Sequence, residues 1–319
     1  MSNQQYLTLD RTNDKMPIIG FGCWKVEENV EETVYTAIKN GYRLIDGAAV
    51  YENEVGVGKG INRAISEGIV KREDLFVVSK LWNTYHNKAH VRAAMDRTLK
   101  DLNLDYVDLY IIHFPVPCQY VDPKEQYPGP WTIDGKMKIE KSPMHELWAE
   151  MEKLVDAGLA RNIGISNFNC QIIMDLLTYA KYKPATLQIE LHPYLQQREL
   201  VKWVKEQGLQ VTAYSSFGPS SYVKLTKDAK TVTPLFEHDM IKSIADKHKK
   251  TPAQVLLRWA IDQEIAVIPK SMSSDRMKSN IDVFDFKLDE KDHADIKKLD
   301  ENLRFNSLFA YGIPVPLFN

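Results

Sequence analysis

The sequence predicts an α/β fold: a (β/α)8 TIM barrel with an N-terminal β-hairpin and long loops at its C-terminal face. Three observations carry this. The chain has 319 residues, 44% hydrophobic and 26% charged, enough apolar material for the core of one large barrel. Short apolar runs alternate with amphipathic stretches eight times, the rhythm of parallel strands joined by helices. Polar side chains recur at the C-terminal ends of those runs, where a barrel gathers its site. Residues 1–319 read as a single domain, with no linker and no repeat beyond this alternation.

Taken in order, YLTLDRTNDKMPIIGFG (6–22) alternates in polarity and turns at Asn13–Asp14, which predicts a hairpin closing the bottom of the barrel before the first strand. RLIDGA (43–48) opens the strand series and leads into a helical segment through Arg63 and Ala64. LFVVSKLW (75–82) follows, then the helical VRAAMDRTLKDL (91–102). YVDLYIIHFP (106–115) is almost wholly apolar, as a strand buried on both faces should be. NIGISN (162–167), ATLQIELHP (185–193), LQVTAYSSF (209–217), IAVIPKS (265–271) and, more weakly, VFDF (283–286) complete the eight. Thr251 as N-cap and Pro252 at the first helical position start the helix PAQVLLRWAIDQE. Residues 116–141 and the tail from Arg304 show no regular period. Loops of that length are usually functional, and both extend from the same pole.

A doubly wound sheet is the main rival, because alternation alone does not show closure. Its first strand would run into G-x-G-x-x-G. Gly20-Phe21-Gly22 continues instead as Cys-Trp-Lys, and the glycine-dense 56–60 segment follows the ENE loop rather than a strand. Neither is a dinucleotide fingerprint.

The net charge of −2 offers no electrostatic reason for a nucleic-acid or anionic-membrane partner. Cys23, Cys118 and Cys170 lie far apart, which argues against a disulfide framework or zinc site and suits a reducing compartment. The N-terminus lacks the basic start and apolar core of a signal peptide, and no apolar run approaches the ~20 residues that span a bilayer. A cytoplasmic protein is expected. H-E-x-x-H and G-x-S-x-G are both absent, so neither metal hydrolysis nor a serine nucleophile is indicated, and no metal is expected.

The strand ends are more informative. Asp46 closes the first predicted strand, with Tyr51 five residues beyond; Lys80 closes the second and His113 the third. Ser166 and Asn167 end the fourth, Gln188 lies in the fifth, Tyr214 ends the sixth and Lys270 the seventh. Singly, Asp46 and Lys80 could be a structural ion pair and His113 a satisfied core histidine. Buried charge is expensive, however, and three adjacent strands point theirs at one spot. A lysine beside a tyrosine lowers a phenol pKa that starts near ~10. An aspartate would hold that lysine, and a histidine would orient a carbonyl oxygen. The set suits protonating an oxygen as hydride reaches the adjacent carbon.

GYRLIDGAAVYENE, SKLW, IIHFP, GISNF and IPKS, in this order, closely resemble the aldo-keto reductase family over essentially the whole chain. The resemblance implies a catalytic tetrad of Asp46, Tyr51, Lys80 and His113 and an NADP(H) site built without a Rossmann fingerprint. It assigns Ser166, Asn167 and Gln188 to the nicotinamide carboxamide and Tyr214 to the platform under the ring. Ser215, Phe217 and Ser221 match the loop beside the pyrophosphate, and Lys270, Ser271, Arg276 and Asn280 the adenosine end. Independently, a 2′-phosphate wants a point charge and a forked guanidinium, which Lys270 and Arg276 supply.

Within the family, HPYLQQ, YSSFGPSSYVKL and LRFN look most like fungal D-xylose reductases, which take an open-chain sugar. Trp24, Trp82, Phe114 and Asn306 match the substrate pocket. Val50, where those enzymes usually carry an acid, and the tail SLFAYGIPVPLFN depart from the pattern. They support an alternative, a general aldehyde, glyceraldehyde, glycerol or uronate reductase. A non-catalytic NADPH-sensing subunit is a further alternative. Lys224 and Met272 stand where an acid and an asparagine accompany NADH use, so NADPH is expected over NADH. Monomer and homodimer both remain open.

Overall fold

The computed structural model describes residues 5–313 and 315–318. A hairpin, β1 (Tyr6–Thr8) and β2 (Lys15–Pro17), pairs antiparallel with Leu7 opposite Met16; both are buried beneath the barrel. The barrel begins at β3 (Gly20–Gly22). The succession is then α1 (Val30–Lys39), β4 (Leu44–Asp46), α2 (Glu54–Ser66), β5 (Phe76–Leu81), α3 (Val91–Leu102), β6 (Val107–Ile112), α4 (Met144–Asp156) and β7 (Ala160–Ser166). It continues with α5 (Cys170–Tyr179), β8 (Thr186–Glu190), α6 (Arg198–Glu206), β9 (Gln210–Tyr214), the single turn α7 (Asp228–Thr231), α8 (Asp239–His248) and α9 (Pro252–Ile261). β10 (Ala266–Val267), α10 (Ser274–Ile281) and α11 (Glu290–Lys297) complete it. All eight strands from β3 to β10 pair in parallel in chain order. The edges meet through an Ile19–Val267 bridge, with Val267 N–H donating to Ile18 O at 2.9 Å and Gly22 N–H to Pro269 O at 3.2 Å.

Two expectations are corrected here. VFDF (283–286) is not a strand. α9 side chains bind the backbone at its start instead: Arg258 donates to Val283 O at 3.0 Å, and Gln254 to O of the preceding Asp282 at 2.7 Å. The eighth strand is Gly20–Gly22, at the end of the segment predicted as the hairpin. A Cβ on Gly22 would stand 2.5 Å from Ile268 O, and one on Gly20 2.1 Å from Leu44 Cδ2. Gly22 is therefore a requirement of close backbone approach at the seam, while Gly20 makes room for the Leu44 side chain on β4.

The glycine-dense segment 56–60 lies within α2. A Cβ on Gly58 would meet Leu102 O at 2.2 Å, and one on Gly60 Glu31 O at 2.7 Å. It lets α2 approach the backbones of α3 and α1. The predicted start of α9 is realised as a reciprocal box between Thr251 and Gln254, with Pro252 in the first turn.

Residues 116–141 follow β6 and are pinned back onto the barrel. Cys118 and Ile139 form an antiparallel bridge, and Trp82 Nε1–H donates to Gly129 O at 2.7 Å. The tail is held by one buried side chain. Glu190, at the end of β8, accepts from the backbone N–H groups of Phe305 and Asn306, both at 2.8 Å, and lies 3.0 Å from His192 Nε2.

Because the atom facing Gly58 is backbone, it cannot rotate aside. Gly58→Ala should cost about 1–3 kcal/mol of stability, measured by urea unfolding, whereas Gly68→Ala, with nothing within 4 Å, pays only for its left-handed φ of 72°.

Candidate active site

The barrel's stepped register brings the polar strand ends together. Asp46 lies opposite Val78, so Lys80, two residues further, shares its face. Lys80 lies opposite Ile111, and His113 again follows by two. Ser166 pairs with Gln188, and Gln188 with Thr212, two residues before Tyr214. Each strand is stepped relative to the last, and the side chains climb onto one rim.

Lys80 is fully buried. Its Nζ donates to Asp46 Oδ1 at 2.6 Å, Gly47 O at 2.7 Å and Tyr51 Oη at 3.2 Å. Three protons meet three acceptors, so the Tyr51 oxygen is an acceptor toward Lys80. Among the described residues the Tyr51 proton has no acceptor of its own. The second oxygen of Asp46 accepts from Gln188 Nε2 at 2.8 Å, so Gln188 also fixes the carboxylate.

The expected lowering of the Tyr51 pKa is reversed. Burial first, and then the Asp46 charge, hold the phenol well above its ordinary value. Asp46 neutralises Lys80 at short range, and Tyr51 stays protonated. Burial, then Lys80 and His86, hold His113 well below the usual histidine value, so its ring is neutral. Its position is set by edge contacts with Tyr51 and Trp82, at 5.8 and 5.4 Å between centroids, and by stacking on Phe114 at 5.2 Å.

These groups face a cavity of about 580 Å³, of the size that accepts organic ligands. Asp46, Tyr51 and His113 line it, as do Ser166, Asn167, Gln188, Tyr214, Ser215, Phe217, Ser221 and Lys270. Trp24, Val50, Trp82, Phe114 and Asn306 line it too. Lys80 lies beneath its floor. Ser271, Arg276 and Asn280 are not on the wall. Ser271 and Arg276 stand at the start of α10 beyond Lys270, where Ser273 caps the helix by accepting from Arg276 N–H, and Asn280 is buried further along it.

Sequence reasoning did not assign Trp131 and Tyr311 to the wall, nor Lys25 and Tyr222. Trp131 lies in the long loop and Tyr311 in the tail. Their lack of periodicity marked those segments as functional without saying which residue would turn inward.

Away from the tetrad, Lys25, Lys224 and Lys270 line the cavity. With Arg276, they make no ion pair among the described residues. Burial lowers the pKa of Lys270, with Glu27 opposing and Arg276 adding to the shift. Lys25 is lowered first by burial, with Glu27 opposing and Lys270 and Lys224 adding to the shift. Cations gathered without matching carboxylates suit a phosphate-bearing ligand, and the residues present therefore fit a phosphorylated dinucleotide. Asn167 and Ser215, both on the cavity wall, hold left-handed backbone, φ 63° and 55°, a conformation uncommon outside glycine.

The Aldo/keto reductase family matches residues 18–301. The chain belongs to that family. It is 64% identical over 317 residues to the 4-dihydromethyl-trisporate dehydrogenase of Mucor mucedo, covering 98% of this chain and 99% of that one. It is 54% identical over 306 residues to a probable NAD(P)H-dependent D-xylose reductase of Emericella nidulans, covering 95% and 96%. The aldose reductase structure from Schistosoma japonicum superposes with a TM-score of 0.86 at 37% identity, covering 97% and 96%. This aldo/keto reductase is an oxidoreductase, and NADPH is consistent with its family and with the NAD(P)H-dependent relatives. None of its described helices is long and apolar enough to cross a membrane.

One buried acid near this aldo/keto reductase site titrates in an accessible range. Glu54 pairs with Ser79 at 2.5 Å and Thr98 at 3.3 Å, and burial raises its pKa from 4.5 to about 7. The folded state thus keeps a proton that the unfolded chain has shed. The resulting stabilisation is complete below the unfolded pKa and is lost as the pH rises through about 7, roughly 3 kcal/mol in all. Urea unfolding at acidic and at mildly basic pH should show this slope in the native protein and a shallower one in Glu54→Gln.

Proposed function

We propose that the protein interconverts a carbonyl and an alcohol with NADPH, that Tyr51 is the general acid in reduction, and that the substrate is an apolar aldehyde or ketone rather than an open-chain sugar. One observation carries the chemistry: Lys80 spends its three protons on Asp46, Gly47 O and Tyr51 Oη, leaving the phenolic proton for the cavity. As that proton leaves, negative charge grows on an oxygen already hydrogen-bonded to an ammonium, which stabilises it where it develops. Neutral His113 orients the carbonyl oxygen toward Tyr51. A bound nicotinamide supplies the hydride. Ser166, Asn167 and Gln188 would hold its carboxamide, with Tyr214 as the platform and Ser215, Phe217 and Ser221 beside the diphosphate. Lys270 and Arg276 would take the 2′-phosphate, with Ser271 and Asn280 toward the adenosine.

The substrate class follows from the wall. Trp24, Val50, Trp82, Phe114, Trp131 and Tyr311 are apolar or aromatic. The nearby amide, Asn306, already bonds Tyr214 and Tyr311 through its two polar atoms. A sugar hydroxyl buried there without a partner would cost about 1–3 kcal/mol. The Mucor relative, named for 4-dihydromethyl-trisporate rather than a sugar, supports this reading. D-Xylose is the second reading, supported by the Emericella relative and by the presence of Asn306.

NADPH consumption should be faster, as kcat/KM, with decanal than with D-xylose, and 4-dihydromethyl-trisporate with NADP+ should report the reverse reaction. The opposite order would favour the pentose reading. Tyr51→Phe should lower kcat by about 10²–10⁴ while NADPH still quenches protein fluorescence. NADPH binding without turnover in the native protein would point to a sensor.

For the cofactor, kcat/KM should favour NADPH over NADH, and Arg276→Leu should erode that preference by raising KM for NADPH alone. Equal loss with both cofactors would remove Arg276 from the 2′-phosphate.

A further inference from the structure

We infer that the Tyr311 hydroxyl is a specificity-determining group that turns the pocket away from polyols by occupying the amide of Asn306. The inference rests on the carbonyl-reductase reading of this site.

Tyr311 comes from the tail, beyond the segment anchored by Glu190. Its Oη–H donates to Asn306 Oδ1 at 2.7 Å, and its ring lies nearly parallel to Trp131, 6.2 Å away at 17°. Asn306 Nδ2 donates to Tyr214 Oη at 2.8 Å, and Tyr214 Oη–H to Asn167 Oδ1 at 2.6 Å. Three hydrogen bonds thus join the tail to the end of β7. Glu190 fixes the Asn306 backbone at 2.8 Å, so the amide cannot leave this arrangement by swinging its main chain.

A hydroxylated chain entering the pocket meets an amide whose Oδ1 already accepts from Tyr311 and whose Nδ2 already donates to Tyr214, and it must compete with the Tyr311 hydroxyl for Oδ1. It exchanges one internal hydrogen bond for another and still loses its own water, so little is gained. An apolar chain leaves the bond intact and packs on the Trp131 and Tyr311 rings. Selectivity therefore comes from a tail hydroxyl that need not contact the substrate carbonyl.

Tyr311→Phe removes the hydroxyl and keeps the ring. The ratio of kcat/KM for D-xylose over decanal should rise about tenfold, chiefly through a lower KM for D-xylose, and the gain should vanish in Tyr311→Phe combined with Asn306→Ala. A merely loosened tail would depress both substrates and create no gain. An unchanged ratio, a shift toward decanal, or a gain that survives Asn306→Ala would overturn the inference while leaving the carbonyl-reductase reading in place. Absence of Tyr51-dependent reduction of either substrate by the native protein would instead remove that reading, and this inference with it.

Discussion

The structure is organised around one positive charge sealed inside the barrel. Moving an ammonium out of water costs several kcal/mol, and only close partners on every proton offset it. Lys80 has three: Asp46 Oδ1, Gly47 O and Tyr51 Oη. Two come from the end of β4 and its exit, the third from the turn that follows. The relative register of β4 and β5 is therefore a condition for burying Lys80 at all. Asp46 extends the constraint across the barrel through Gln188 on β8. Tyr51 cannot leave without exposing a buried cation to an unmet bond.

The same charge balance explains why the resting tyrosine is a weak acid poised to become a stronger one. The Asp46 charge beside Lys80 adds to burial in disfavouring the phenolate, so the proton stays. In the proposed reaction the lysine matters once the phenolate begins to form. A second buried acid, Glu190, plays a separate part. It accepts two tail N–H groups and so carries Asn306 and Tyr311 over the pocket. One carboxylate sets the floor of the cavity and the other its roof.

Much of this was legible in the residues. Six of the eight barrel strands lie within the predicted apolar runs and β7 begins two residues before its own, because a strand buried on both faces must be apolar along its length. Asp46, Tyr51 and His113 stood out because polar groups at the mouths of such strands need a reason. The misses share a cause in close approach and in long-range partners. Gly20–Gly22 looked like part of a hairpin because nothing local shows that another backbone will pass 2.5 Å from a missing Cβ. VFDF looked like a strand because nothing local shows that Arg258 and Gln254, on a preceding helix, would bind the Val283 carbonyl and that of Asp282 before it.

What the sequence determined by itself was the barrel, the polar set at its rim and the family, since each is written in local pattern and order. The tertiary structure alone decided three further matters. It set the direction of the Tyr51 shift, because that depends on how Lys80 divides its field between Asp46 and the phenol. It turned Trp131 and Tyr311 inward, because aperiodic segments take their course from distant anchors such as Trp82 and Glu190. It engaged the Asn306 amide through Tyr214, 92 residues away, and through Tyr311, five residues on, because neither a distant partner nor the fold of an aperiodic tail back on itself is written in sequence pattern.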